Sequence, residues 1–275
     1  MALTIESKWD NGSAKTRLVT TDQAGHWYTE EGESAHVILG ANGKERNTTV
    51  ADARKLGLLP SVTSVIGIKN KPELETWKQE QVIRACIKFK KEEDELDEQY
   101  AKRIMLEAKK TTTDAATHGS LMHEAMEHIL LGREHSKDER LAPYIRTFKQ
   151  WANDNIEKTY WCEKALVGAG YAGRCDAYVR MRGIGDAIID LKNRKVNPKY
   201  DPFYDTDCAQ LWAYRIASEN PQAACVSVVL ASNDPESIKH HVWDEEELDQ
   251  AGIAFQAMLK VWSWAKQYVP PGMKL

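Results

Sequence analysis

The stretch Ile188-Ile189-Asp190-Leu191-Lys192-Asn193 runs two β-branched residues into a carboxylate and sets a lysine two positions later. Alternate residues of a strand share a face, so Asp190 and Lys192 project side by side. A carboxylate beside an ammonium group at a strand end can hold a metal ion and position water next to it. The same pair also serves as a solvated strand end or a surface ion pair. Other residues of suitable chemistry are spread along the chain. Gly173 to Met181 reads as a strand with Arg174 and Asp176 on one face, and Glu163 lies on the strand before it. His123 and Glu127 are four apart and share one face of a helix, where an exposed hydrogen-bonded pair is the plain expectation. Gln210 and Tyr214 share a face of another helix.

The elements that must position these residues follow from pattern. Residues 1–60 read as short strands and turns, with Arg17–Thr20, His26–Thr29 and Ala35–Leu39 rich in β-formers and Gly25, Gly32 and Asn42-Gly43 as punctuation. In Pro60-Ser61-Val62-Thr63-Ser64-Val65-Ile66, spacing alone makes the hydroxyls turn and cap residues. From Pro72 the pattern turns helical, with Leu74, Trp77, Val82, Ala85 and Phe89 as a buried stripe. Lys90 to Glu98 is a charge run, after which Leu96, Tyr100, Ile104 and Ala108 resume a stripe. Thr111-Thr112-Thr113 is expected to interrupt it. A new helix bearing His123 then starts at Asp114 as N-cap and stops at Gly132. A helix over residues 140–153 buries Leu141, Ile145, Phe148 and Trp151.

Beyond Asn155 the texture changes. Strands over Tyr160–Val167, Gly173–Met181 and Ala187–Asn193, joined by Gly168-Ala169-Gly170 and Gly183-Ile184-Gly185, form a meander. A helix over Asp207–Ser218, strands over Cys225–Ala231 and Ile238–Trp243, and a last helix follow. Asp244 and Glu247 form that helix's capping box, and Leu248, Phe255, Leu259 and Trp262 its stripe. The chain divides into a β-rich extension (1–60), a helical region (61–155) and an α/β part (156–275), expected to make one compact unit.

Composition limits the function classes. Of 275 residues, 42% are hydrophobic and 28% charged, with net charge −4, the balance of a soluble globular protein. There is no global basic signature, so nucleic-acid contact must come from a local patch. Lys192, Arg194, Lys195 and Lys199 supply one. Tyr200, Phe203 and Tyr204 beside it either stack on bases or pack the loop. No apolar run reaches the roughly 20 residues that span a bilayer, and Met1 to Glu6 carries no secretion-signal pattern, so a cytoplasmic location is expected. Five cysteines without a Cys-x-x-Cys pair argue against zinc and iron–sulfur sites. No Gly-x-x-x-x-Gly-Lys-Ser/Thr phosphate loop is present.

Taken in order, these motifs resemble the PD-(D/E)xK nuclease superfamily. Asp176 matches its leading aspartate and Asp190-Leu191-Lys192 its (D/E)xK element. Gly119…His123…Glu127 is similar to the histidine motif of the RecB-like exonuclease branch. Gly170-Tyr171-Ala172-Gly173-Arg174-Cys175-Asp176 resembles that branch's approach to the first aspartate, and Gln210-Leu211-Trp212-Ala213-Tyr214 its Gln-x-x-x-Tyr helix. Pro60 to Ile66 is similar to the segment before the helical part in phage and mitochondrial genome-maintenance exonucleases. The resemblance spans residues 60–215, and the piece before about residue 55 matches no motif.

The resemblance implies a restriction-endonuclease-like α/β core, with a central mixed β-sheet flanked by helices and a helical arch over residues 72–155. It implies one or two Mg²⁺ or Mn²⁺ ions and no iron–sulfur cluster. Asp176, Asp190, His123 and the Leu191 backbone carbonyl would be the ligands. Glu163 either binds a second ion or makes a structural hydrogen bond; Glu127 orients the imidazole or binds metal. Lys192 orients or deprotonates water, or stabilises the transition state. Gln210, Tyr214, Arg174, Arg194, Lys195, Ser61 and Thr63 are candidates for substrate contact. Structural roles stand beside them: helix packing for Tyr214, an ion pair for Arg174. The implied activity is a DNA exonuclease in recombination, replication or repair, in a bacterial or phage-infected cell, acting on single strands or duplex ends. A sequence- or structure-specific endonuclease, a catalytically inactive DNA-binding protein and a small-phosphoester hydrolase are the alternatives.

Overall fold

The computed structural model describes residues 18–19, 27–40, 42–69, 72–135 and 137–274. The strands β1 (Leu18–Val19), β2 (Trp27–Tyr28), β3 (Val37–Leu39) and β4 (Glu45–Asn47) come first, and β1, β3 and β4 form a small antiparallel sheet. Of the expected strand over Arg17–Thr20, only Leu18–Val19 lies within the described residues; Gly25 and His26 lie outside them. The helix α1 (Val50–Leu56) corrects the expectation of strands and turns alone up to residue 60. Its start is a capping box. Asp52 N–H donates to Thr49 Oγ1 at 3.3 Å, while Asp52 Oδ2 accepts from Thr49 N–H at 2.9 Å. The strand β5 (Leu59–Pro60) pairs with β2, and α2 (Val62–Ile66) follows with Ser61 as its N-cap.

Two long helices come next, α3 (Pro72–Lys88) and α4 (Asp97–Leu130). Ala85, Ile104 and Ala108 join them in a small core of their own. The break expected at Thr111–Thr113, with Asp114 capping a new helix, is absent: α4 continues through these positions for 34 residues. Each threonine costs at most about 0.7 kcal/mol relative to alanine in a helix, and both halves of α4 have packing to offset it. The first half lies on α3, and the second buries Met122, Ala125 and Met126 against the main sheet. Leu96 precedes α4 as its cap position and is 66% exposed, so it is not part of the stripe; Leu74 lies outside the described side chains. Gly132, at φ +65°, ends the helix as expected.

After α5 (Ala142–Asn155) come β6 (Ile156–Gly168), β7 (Tyr171–Met181) and β8 (Gly185–Arg194), then α6 (Asp205–Ala217), β9 (Ala224–Ala231), β10 (Ile238–Trp243) and α7 (Glu245–Lys266). The five strands form one mixed sheet in the order β10-β9-β8-β7-β6. Only β8 and β9 run parallel, because α6 is the crossover between them. Helices cover both faces. Met122, Met126, Ile145, Phe148 and Trp151 of α4 and α5 pack on Val179, Ile189, Leu191 and Val228. Leu211, Tyr214, Leu248, Phe255 and Trp262 of α6 and α7 pack with Val62 and Val65 of α2 on Cys175, Ile188 and Cys225. A fully buried side chain such as Phe148 or Phe255 stabilises the fold by about 1.5–3 kcal/mol. Asp244 accepts from Glu247 N–H at 2.8 Å, the expected cap of α7.

Candidate metal centre

The main sheet forks at its centre. The β7–β8 ladder ends at the pair Ala177/Ile189. Beyond it, β7 stays paired with β6 as far as Tyr171/Gly168, and β8 stays paired with β9 as far as Arg194/Ala231. Alternation also slips here. Cys175 packs in the layer beneath α6 and α7, whereas Ala177 packs in the layer beneath α4 and α5. Asp176 sits at the slip. A strand residue's N–H and C=O point to the same flank, so the fork leaves Leu191's pair without a ladder partner on the β7 side. Both are used. Leu191 N–H donates to Asp176 Oδ2 at 2.6 Å, and Leu191 C=O lies 3.0 Å from His123 Nε2.

His123 arrives from the second half of α4. Its Nε2 is also 3.2 Å from Asp176 Oδ2, and its Nδ1 is 3.4 Å from Glu163 Oε1. Glu163 lies between the pairs Cys162/Ala177 and Lys164/Cys175, which sets it opposite Asp176. One donor atom from each of His123, Glu163 and Asp176 falls within 4.8 Å of the others. Arg174 Nε is 3.9 Å from Glu163 Oε2, so Arg174 and Asp176 do reach the same cluster. Glu127 lies one turn beyond His123 and near Cys162, and the oxygens facing the imidazole are those of Glu163, Asp176 and Leu191.

Asp190 and Lys192 alternate with Ile189 and Leu191, which are buried beneath α4 and α5, and therefore face α6. Lys192 Nζ donates to Asp190 Oδ1 at 2.6 Å and to Gln210 Oε1 at 3.4 Å; Gln210 Nε2 donates to Tyr214 Oη at 3.4 Å. Asp190 is 1% exposed, and its Oδ2 is buried with no hydrogen-bond partner. Tyr214 packs in the core against Gly173, where a Cβ would lie 2.9 Å from its ring.

Electrostatics follow from this crowding. The Asp176 carboxylate beside His123, with Glu163 on the other nitrogen, holds the imidazole well above its usual range against the opposing effect of burial. Burial would raise Asp176, but His123, Lys192 and the Leu191 N–H together keep it below the ordinary carboxylate range. Burial dominates at Asp190 and pushes it up to about 7 despite Lys192. Lys192 loses hydration, yet Asp190 and Asp176 more than compensate and raise it. The imidazolium therefore supplies positive charge among the acids.

The remaining sequence-derived candidates divide. Lys195 is exposed. Arg194 is engaged within the fold: it donates to Asp207 Oδ1 at 2.9 Å and to Pro202 C=O at 3.3 Å, and lies 4.4 Å from the Tyr204 ring centroid. Ser61 is 3% exposed and caps α2, accepting from Ser64 N–H at 3.0 Å; Thr63 Oγ1 is 3.1 Å from Ser61 Oγ. The residue pattern had not singled out the fork itself, nor Glu163 as the partner of His123 Nδ1. The weak signal was the spacing of acids at 163, 176 and 190 on three consecutive strands.

The donor set suits a hard divalent cation. Neighbouring ligands in an octahedron with bonds of about 2.1 Å stand about 3 Å apart, matching the 3.0 and 3.2 Å from His123 Nε2 to Leu191 O and Asp176 Oδ2. Asp190, expected as a ligand, is not a member of the cluster formed by His123, Glu163 and Asp176; its buried Oδ2 is left without a hydrogen-bond partner beside it. Compared with known proteins, the chain matches no family model and no curated protein. The chain is an α/β protein whose mixed sheet forks beside a histidine, carboxylates and a lysine. Among the described residues, no helix is long and apolar enough to cross a membrane.

Proposed function

We propose that this protein is a Mg²⁺- or Mn²⁺-dependent deoxyribonuclease with a restriction-endonuclease-like core, an exonuclease similar to the RecB-like branch of PD-(D/E)xK nucleases. The observation that carries the reading is the convergence at the fork. His123 Nε2, Asp176 and the Leu191 carbonyl meet there, one residue on either side of which stand Asp190 and Lys192. His123, Asp176 and Leu191 O would hold the ion, and Asp190 would join them as the resemblance implies. When bound, Mg²⁺ or Mn²⁺ supplies Lewis acidity at a phosphoryl oxygen and lowers the pKa of water.

The chain's own groups do the rest. His123 gives up its Nε2 proton to become a ligand and keeps Nδ1–H. Lys192, steered by Asp190 Oδ1 and Gln210, presents an ammonium donor to a phosphoryl oxygen or to the attacking water. Attack of water at phosphorus breaks one P–O ester bond and leaves a phosphomonoester and a hydroxyl. Lys195, Lys199 and the 71%-exposed Tyr200, just beyond β8, offer charge for the DNA backbone and a ring face for a base. The α3–α4 pair would form the arch over the DNA path.

The test uses single- and double-stranded DNA labelled at either end, and a covalently closed circle, with Mg²⁺ or Mn²⁺. Stepwise loss of nucleotides from linear ends, an intact circle and full inhibition by chelator are expected. A circle cut as fast as linear DNA replaces the exonuclease with an endonuclease. No metal-dependent cleavage of any substrate removes the reading.

A further inference from the structure

We infer that Glu163 is the positioning residue of His123: its carboxylate accepts the Nδ1–H of the imidazole, fixes the ring plane and so presents Nε2 to the ion, without itself being a ligand. This rests on the metal-site reading above. Glu163 Oε1 faces Nδ1 at 3.4 Å, whereas Asp176 Oδ2 and Leu191 O face Nε2 at 3.2 and 3.0 Å. All three side chains lie close enough for shared ligation by distance. Direction decides against it, because the two ring nitrogens point away from each other, and Glu163 Oε1 faces Nδ1 while Asp176 Oδ2 and Leu191 O face Nε2. A metal-bound histidine commonly donates its other N–H to a carboxylate, which sets its tautomer. Glu127, on the same helix as His123, does not occupy that place.

The backbone supplies a second observation. Glu163 has φ +51° in the middle of β6, a conformation that side-chain-bearing residues adopt at a cost and that persists only where surroundings enforce it. It stands opposite Asp176 in the β6–β7 pairing, and Arg174 Nε approaches its other oxygen at 3.9 Å. A residue of strained backbone that faces the imidazole on one side, with a guanidinium nitrogen 3.9 Å away on the other, is suited to holding a ring still.

The experiment measures Mn²⁺ affinity by calorimetry for the full chain and for E163Q, E163A, E163G and H123A, with melting temperatures alongside. Glutamine keeps an oxygen that accepts Nδ1–H, so E163Q is expected within about threefold of wild type, and E163A and E163G about 10–100-fold weaker. Glycine also relieves the positive φ, so E163G melts above E163A while binding Mn²⁺ as poorly. A merely structural residue would not separate stability from affinity in this way. In the Mg²⁺-loaded protein, the ¹⁵N-resolved Nδ1 proton of His123 is expected in wild type and E163Q and lost to exchange in E163A. E163Q as weak as E163A would make Glu163 a ligand and overturn the inference. E163A and E163G binding like wild type would overturn it too. Wild type that binds no Mn²⁺, or H123A that binds as tightly as wild type, overturns the metal reading and this inference with it.

Discussion

Lys192 shows how one residue's surroundings set its use. Its ammonium donates to Asp190 Oδ1 in a buried site, and both Asp190 and Asp176 favour its charged form. Under the proposed function it would therefore work as a donor rather than as a proton acceptor. Lys192→Ala is expected to abolish metal-dependent DNA cleavage while leaving the fold intact. Its stability cost is limited, about 1–3 kcal/mol, because Asp190, already pushed up to about 7 by burial, can take a proton when its partner is gone. Cleavage assays paired with melting curves check this; a variant that still cuts DNA sinks the assignment. His123 lies at the other extreme. Its chemistry depends wholly on which oxygens face each nitrogen, and no reading of residue types alone assigns those.

At the scale of elements, close approach of backbone and side chain holds the site in place. A Cβ at position 173 would lie 2.9 Å from Tyr214 Cε1 and 3.3 Å from Val62 Cγ2, both part of packed core. Gly173→Ala is expected to lose about 1–3 kcal/mol of stability by overpacking. It should also lower cleavage, because Tyr214 accepts from Gln210 and Gln210 from Lys192. Urea midpoints and rates, with Tyr214→Phe as a volume-preserving comparison, test the link. The N-terminal part carries its own pH dependence. Two hydrogen bonds from Arg46, at 2.6 and 2.8 Å, and those from Thr49 hold the Asp52 carboxyl well below its usual range. A depressed folded pKa stabilises above the unfolded value of about 3.9 and is lost below it. Stability should therefore fall as pH drops through 4 toward 2, and part of that fall should vanish in Asp52→Asn, as read from urea midpoints across the range.

For the molecule as a whole, a net charge of −4 gives no broad electrostatic attraction to a polyanion, so the proposed DNA contact would fall to the segment after β8. Lys195→Ala should weaken DNA binding evenly across sequences and reduce the salt slope by about 1. Arg194→Ala should instead lower the melting temperature, since Arg194 is bound up with Asp207, Pro202 and Tyr204. Fluorescence anisotropy over a salt series, with melting curves, distinguishes the two. Local pattern was sufficient to read the strands from β6 to β10, the stripe of α5 and the cap and stripe of α7. These depend on period-2 and period-3.6 burial and on short-range hydrogen bonds, all encoded within a few residues. It did not reveal that α4 runs unbroken past Thr111–Thr113, because the packing that outweighs three weak helix formers comes from α3 and from the sheet. The amino-acid sequence by itself determined which chemical groups are available: His123, the acids at 163, 176 and 190, and Lys192. Only the tertiary structure decided how they meet. The β7–β8 ladder stops one pair short of Asp176 and Asp190, frees the Leu191 N–H and C=O, and lets a helix more than 60 residues upstream bring its imidazole to them.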